Sequence, residues 1–228
     1  MKIALSLALS FVLALPALAA NPPRPYHLQL EASPAAPFPY LSKFGTIDLH
    51  VYAGGVRADS AWLDAFSRNG TAAVTVLNPF GRMYVDVPIR EIAPTLAKLA
   101  GSGGAERLAK PVLTDKAEGK VHGIDATRYR LSYGPEAYID YWTTAAVPES
   151  PQLRTVVDQL LRGIAPGTAD VARTIHGVPV YVELNFSRFK KLPILKVKEL
   201  TFTADDEEEA LKVGALYVRA SLLEALLR

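Results

Sequence analysis

Four histidines are the first candidates for chemistry: His27, His50, His122 and His176. A zinc hydrolase places two imidazoles one helical turn apart, as in His-Glu-x-x-His, so that both reach one ion. No pair of these four has that spacing. The chain holds no cysteine, which removes thiolate zinc sites, disulfides and dithiol redox chemistry. There is no Gly-x-Ser-x-Gly, no Gly-x-Gly-x-x-Gly and no phosphate-cradling loop ending in Lys-Ser/Thr. GSGG at 101–104 lacks that lysine and reads as a linker. Members of a Ser-His-Asp triad need not be adjacent in sequence, but nothing here nominates one. The acidic run at 205–209 offers oxygen donors to a cation. Asp205 or Asp206 followed by glutamates is also how a helix begins, because the helix dipole favours negative charge there, and the helix start is the preferred reading. Arg188, Lys190, Lys191, Lys196 and Lys198 allow peripheral contact with anionic headgroups. A sheet edge kept soluble by lysine is preferred.

The aromatic residues are more suggestive. Tyr129, Tyr133, Tyr138, Tyr141 and Trp142 lie close in sequence, with Trp62 and Tyr84 in the first half. An apolar body with a polar tip suits a greasy pocket with a wet mouth, although aromatic residues in strands commonly just fill a core. The candidate ligand-binding set is Trp62, Tyr84, Tyr129 and Trp142, with Arg57 at the mouth. No catalytic residue, metal ligand or cofactor site is assigned. Periodicity alone does not say which strand face points inward, because a one-residue slip exchanges the faces.

The elements that must position these residues are mostly strands. Residues 26–32 alternate like an edge strand, and residues 46–53 set Ile47, Leu49 and Val51 against Asp48, His50 and Tyr52. Residues 56–66 alternate next, and Asn69-Gly70 is a strong hairpin signal leading to a strand over 72–77. A turn at 78–81 precedes another strand over 83–89. Ile92, Leu96 and Leu99 fall at helical spacing, with Pro94 placed in a first turn. Further strands are read over 121–133, 137–144, 177–186 and 195–203. Ser150 caps a helix with Pro151 at its first position and a stripe of Leu153, Val156, Val157, Leu160 and Leu161. A last helical turn is read over 222–227. The fold class is mainly β (α+β): a half-open antiparallel barrel or strongly curved sheet covered by two or three helices. A long meander with few helices curls, and helices across its concave side would leave a lined cavity.

The chain opens with Lys2, an almost wholly apolar stretch over 3–15, Pro16 and the small-x-small triplet Ala17-Leu18-Ala19. This is the pattern of a cleaved secretory signal over residues 1–20, so residues 21–228 are expected as one periplasmic domain. No later stretch is long and apolar enough for a spanning helix. A formal charge of +2 gives no electrostatic case for nucleic acid.

Short motifs then come in a recognisable order: Gly119-Lys120-Val121-His122-Gly123, Thr127-Arg128-Tyr129, Tyr141-Trp142-Thr143 and Gly177-Val178-Pro179-Val180, with Gly55-Val56-Arg57 earlier. As a pattern over 45–203 they resemble the periplasmic outer-membrane lipoprotein-carrier superfamily, the LolA/LolB-like fold, and its small uncharacterised relatives. The chain departs from that pattern at Leu216-Tyr217-Val218-Arg219-Ala220, where the usual proline is missing. The resemblance implies an incomplete barrel closed by helices that holds lipid or a lipoprotein acyl chain without catalysis. A monomer is expected. Relatives of this fold also serve as stress sensors or accessory proteins, so an envelope protein partner is the second expectation. An unrecognised hydrolase is the third.

Overall fold

The computed structural model describes residues 24–32, 45–100, 110–186, 189–203 and 206–227. The signal-like stretch, the Pro/Ala connector at 33–39, GSGG at 101–104, Arg188 and Asp205 lie outside the described residues. The strands are β1 (Tyr26–Ala32), β2 (Thr46–Val51), β3 (Gly55–Ser60), β4 (Asp64–Arg68), β5 (Ala73–Asn78) and β6 (Met83–Pro88). Then follow β7 (Val112–Val121), β8 (Ile124–Gly134), β9 (Ala137–Thr144), β10 (Val178–Phe186), β11 (Phe189–Phe202) and β12 (Val218–Arg219). The helices are α1 (Ile89–Ala100), α2 (Pro151–Ile164), α3 (Pro166–Ala172), α4 (Glu207–Ala210) and α5 (Leu222–Leu227).

All the strands form one sheet in the order β12-β6-β5-β4-β3-β2-β1-β11-β10-β9-β8-β7. Two meanders, β2–β6 and β7–β11, are joined where β1 pairs with both β2 and β11. Every pairing is antiparallel except the short parallel bridge of β12 to β6. The outermost strands β7 and β12 do not pair with each other, so the sheet is open.

Register assigns the faces, because directly opposed residues project to the same side. Leu200, Leu28, Leu49, Ala58, Ala65, Val76 and Val85 stand opposite one another across seven strands and form an apolar inner row. The adjacent row, His27, His50, Arg57, Phe66, Thr75 and Asp86, faces the other way. In the second meander the inner row is Leu184, Ile139, Leu131 and Leu113, and an outer row is Lys196, Tyr181, Trp142, Arg128 and Ala117. Tyr26, Leu28, Val180 and Val197 are almost fully buried at the centre of the inner face.

Helix α2 shows that the sheet curls. Ser150 accepts from the Leu153 amide and Pro151 needs no donor, so the helix starts at a fixed point. From that start Gln152 donates to Ser67 Oγ at the end of β4 (2.6 Å), while Arg154 reaches His176, just before β10 (3.4 Å). These strands are five steps apart in the sheet order, ~24 Å on a flat sheet at ~4.8 Å per step. Two side chains on one helical turn span that only if the sheet wraps around the helix. α1 packs on α2, and α3 covers Leu131 with Val171, so these three helices lie on the inner face.

Several expectations are corrected. β1 is not an edge strand: it sits between β2 and β11, with Tyr26 and Leu28 buried on both flanks' inner side. β11 is also central, so its lysines do not protect an edge. It begins at Phe189 rather than Leu195. The stretch over 56–66 is two strands, because Ser60 Oγ accepts from the amides of Trp62 and Leu63 and folds the chain back. Pro94 lies inside α1, not in its first turn. β7 is not legible in the sequence pattern, because its run of Asp115, Lys116, Glu118 and Lys120 hides a strand under charge.

Candidate functional site

The inner face holds one small cavity among those lined by the described residues. A cavity under α2 and α3, bounded by Tyr141, Leu153, Val157, Leu161, Ile175 and Val178, encloses about 40 Å³. That is room for about one water, against roughly 300–1,000 Å³ for a small-ligand pocket. A second groove of about 410 Å³, open to solvent, lies between Gly54, Arg68, Glu207 and Glu208, and its lining is charged.

The five sequence-nominated residues are not gathered into one pocket. Arg57 is on the outer face of β3, with Nε 2.7 Å from Asp59 and Nη2 3.5 Å from Asp64. It also donates to the Ala210 carbonyl at 2.9 Å. Burial works against its charge, but the hydrogen bond and field of Asp59, with Asp64, more than offset that and raise its pKa. Tyr84, also on the outer face, packs against a cluster of Tyr52, Phe66, Leu77 and Leu211. The structure thus brings Arg57 and Tyr84 together beneath the C-terminal segment. Trp62 sits partly buried in the β3–β4 turn. Tyr129 faces inward beneath α3, with Leu131 and Val171. Trp142 is on the outer face of the other meander. Its ring lies across β8 to Gly119, where a Cβ would come within 3.0 Å of Cζ3, so glycine there makes room for the ring.

Around Trp142 the sheet assembles side chains outside the candidate ligand-binding set, with Tyr138 of the aromatic run among them. Arg130 makes a two-pronged bond to Asp140, with both contacts at 2.7 Å, and its guanidinium lies 3.9 Å from the Tyr138 ring centroid. Asp140 is buried, and its hydrogen bond raises the Arg130 pKa against burial. Arg128 pairs with Asp115 and lies 6.0 Å from the Trp142 ring centroid. Tyr181 donates to Glu183 at 2.8 Å, and burial together with that carboxylate pushes its pKa up to about 12. The alternation of Arg128, Arg130 and Ser132 against Tyr129, Leu131 and Tyr133 is visible in sequence. The cross-strand partners Asp140 and Tyr138 are not, because they depend on the β8–β9 register.

The result is a charge-balanced outer face on β7–β10, with planar guanidinium and aromatic groups locked in place and partly open to water. Trp142 and Tyr181 are partly buried against the main core at its margin, and among the described residues no helix makes extensive contact with it. Register also stacks His27 on His50, with centroids 4.6 Å apart, each beside an aspartate: Asp48 at 3.0 Å and Asp59 at 3.9 Å. Among the described residues, no three histidine, aspartate or glutamate side chains converge as a metal site. No described helix is long and apolar enough to cross a membrane.

No protein-family profile and no curated protein matches this chain. Among solved structures, an uncharacterised conserved protein from Thermus thermophilus is similar over 86% of this chain and 91% of its own, with a TM-score of 0.47 and 11% identity. MucB, solved in complex with MucA(peri), is similar over 85% of this chain and 55% of its own, with a TM-score of 0.37 and 12% identity. Neither likeness carries a function across to this chain.

Proposed function

We propose that the chain is a non-enzymatic binding module of the cell envelope whose ligand is another protein, taken on the outer face of β7–β10. The observation that carries this reading is the ordered Arg128–Trp142 and Arg130–Tyr138 ladder on that face. Tryptophan, tyrosine and arginine are the residues that dominate binding energy at protein interfaces, and they act best when already held in their bound rotamers. Here the carboxylates of Asp115 and Asp140 hold both guanidiniums. The envelope address is supported by the signal-like stretch over residues 1–20. A photo-crosslinking amino acid placed at Tyr138 in intact cells tests the reading. A single discrete protein adduct is expected, lost when Trp142 is changed to alanine and absent when the crosslinker is moved to exposed Arg90. No adduct at Tyr138 overturns it.

A second reading, an acyl-chain or lipid binder, is favoured by the apolar lining of the cavity under α2 and α3. It requires that helix layer to lift from β9 and β10, because about 40 Å³ does not hold a chain. Native mass spectrometry of protein purified without detergent decides it. A stoichiometric lipid supports this reading, and protein that stays empty after incubation with envelope lipids removes it.

A further inference from the structure

The two ends of the sheet are finished differently. At one end β6 is capped by the two-residue β12. At the other, β7 runs ten residues and, among the described residues, has only β8 beside it. Such an edge presents outward-pointing backbone donors and acceptors, interrupted in β7 by one irregularity between Leu113 and Asp115 that leaves Asp115–Val121 regular. Its charges are drawn back toward β8: Asp115 pairs with Arg128, Lys120 lies 3.0 Å from Asp125, and Glu118 accepts from Thr127 at 2.9 Å.

We infer that β7 pairs with β7 of a second copy of this chain, antiparallel, about a two-fold axis through Ala117. Symmetry limits the choices. A two-fold that relates antiparallel neighbours in one sheet stands normal to the sheet and keeps each face on its own side, so the axis passes through a residue and opposed residues share a face. Centred on Asp115, Lys116 or Glu118, it sets that charge against its own copy, and on Glu118 it also opposes Lys116 to Lys120. Centred on Gly119, it opposes Glu118 to Lys120 but pairs only residues 117–121 before the His122-Gly123 turn intervenes. Centred on Ala117, it opposes Lys116 to Glu118 twice, sets Asp115 against Gly119, and keeps the paired residues 115–119 clear of both the irregularity before Asp115 and the His122-Gly123 turn. Opposite charges directly across a strand pair stabilise it, and like charges oppose it. The contact is one strand wide, so the dimer forms with rising concentration rather than as an obligate pair. This departs from the monomer expected from sequence and is independent of the ligand proposed for the outer face.

The test uses the full mature chain and two charge reversals in analytical ultracentrifugation. The wild type is expected to shift from monomer to dimer with concentration. Lys116→Glu and Glu118→Lys alone each place like charges opposite one another and are expected to weaken association at least tenfold. The exchange K116E/E118K restores it, and an equimolar mixture of the two single variants forms a mixed dimer. Circular dichroism checks that each variant is folded. A wild type that stays monomeric at millimolar concentration overturns the inference. So does a folded double variant that remains as weak as the singles, which would place any association elsewhere on the molecule.

Discussion

The outer face of the first meander and that of the second are treated in opposite ways by the same chain. On β3–β6 the segment from α4 onward lies across the sheet. Arg57 donates to the Ala210 carbonyl, and Arg68 donates twice to the Leu211 carbonyl at 2.9 and 2.6 Å. Leu211 itself is 4% exposed, among Tyr52, Phe66 and Leu77. Further along, the segment leaves this face for the sheet edge, where the Val218 and Ala220 amides bond to the Arg82 and Tyr84 carbonyls and Asn78 donates to the Ala225 carbonyl. On β7–β10 no such segment is found among the described residues. The covered cluster is built on Phe66, Leu77 and Leu211, which have no polar tip and gain from complete burial, with Tyr52 and Tyr84 beside them, whereas Trp142, Tyr138 and Tyr181 each bring a donor and tolerate water on one side. The first meander is satisfied by its own tail, and the second is left with a surface suited to something else.

The largest break in this comparison is expected from Leu211→Ala. It empties the socket that fixes the tail, and a buried leucine lost from a tight cluster costs about 3 kcal/mol. Urea unfolding should show that loss, and hydrogen exchange should show β4–β6 opening while β8–β10 stay protected. Equal loss of protection across both meanders would mean that the tail stabilises the sheet as a whole. On the other side, Trp142→Ala should cost about 2 kcal/mol, because the ring is only partly buried. Its effect on the Tyr138 crosslink should exceed its effect on stability. Gly119→Ala sharpens the point: it leaves Trp142 in the chain but intrudes on the ring, and a reduced crosslink in a stable Gly119→Ala protein ties binding to the ring's pose. Arg130→Ala is expected to cost about 1–2 kcal/mol, since it leaves buried Asp140 without its two-pronged partner while the arginine itself is partly in water. Arg130→Lys should recover only part of that in the same urea titration, because an ammonium cannot reproduce the fork.

Most elements are legible in sequence because their causes are local. The alternation in β2, β6 and β10, the Asn69-Gly70 hairpin with Gly70 at φ 76°, and the Ser150-Pro151 start of α2 all appear where residue types require them. What is not legible depends on neighbours far along the chain. β1 reads as an edge because nothing in Tyr26–Ala32 announces that β11 will close its second side. His27 and His50 read as separate because only antiparallel register brings them into a stack. Residue type groups Trp62, Tyr84, Tyr129 and Trp142, and the sheet sends them to a turn, two outer surfaces and one inner one. A long meander is expected to curl, but how completely α2 and α3 fill the curl is hidden, since packing volume has no period in sequence.

The smallest expected effect lies at Asp64, beside the tail-covered Arg57. Burial first, and then the field of Asp59, raises the Asp64 pKa, while the Ser60 amide and Arg57 pull it down without cancelling the rise. A carboxyl whose pKa is higher folded than unfolded stabilises the protein most when protonated. Its contribution is full below the unfolded value of about 3.9 and is lost as pH rises through the folded value. Asp64→Asn keeps an oxygen for the Ser60 amide and removes the ionisation. The variant should therefore match the wild type within about 0.5 kcal/mol at low pH and gain on it as pH climbs toward neutrality. Urea midpoints at several pH values measure this. A variant that instead loses ground as pH rises would show that the ion pair with Arg57 outweighs the burial of Asp64. The covered half would then be held by its charges as much as by the apolar socket of Leu211, narrowing the contrast with the Arg130–Asp140 pair on the open half.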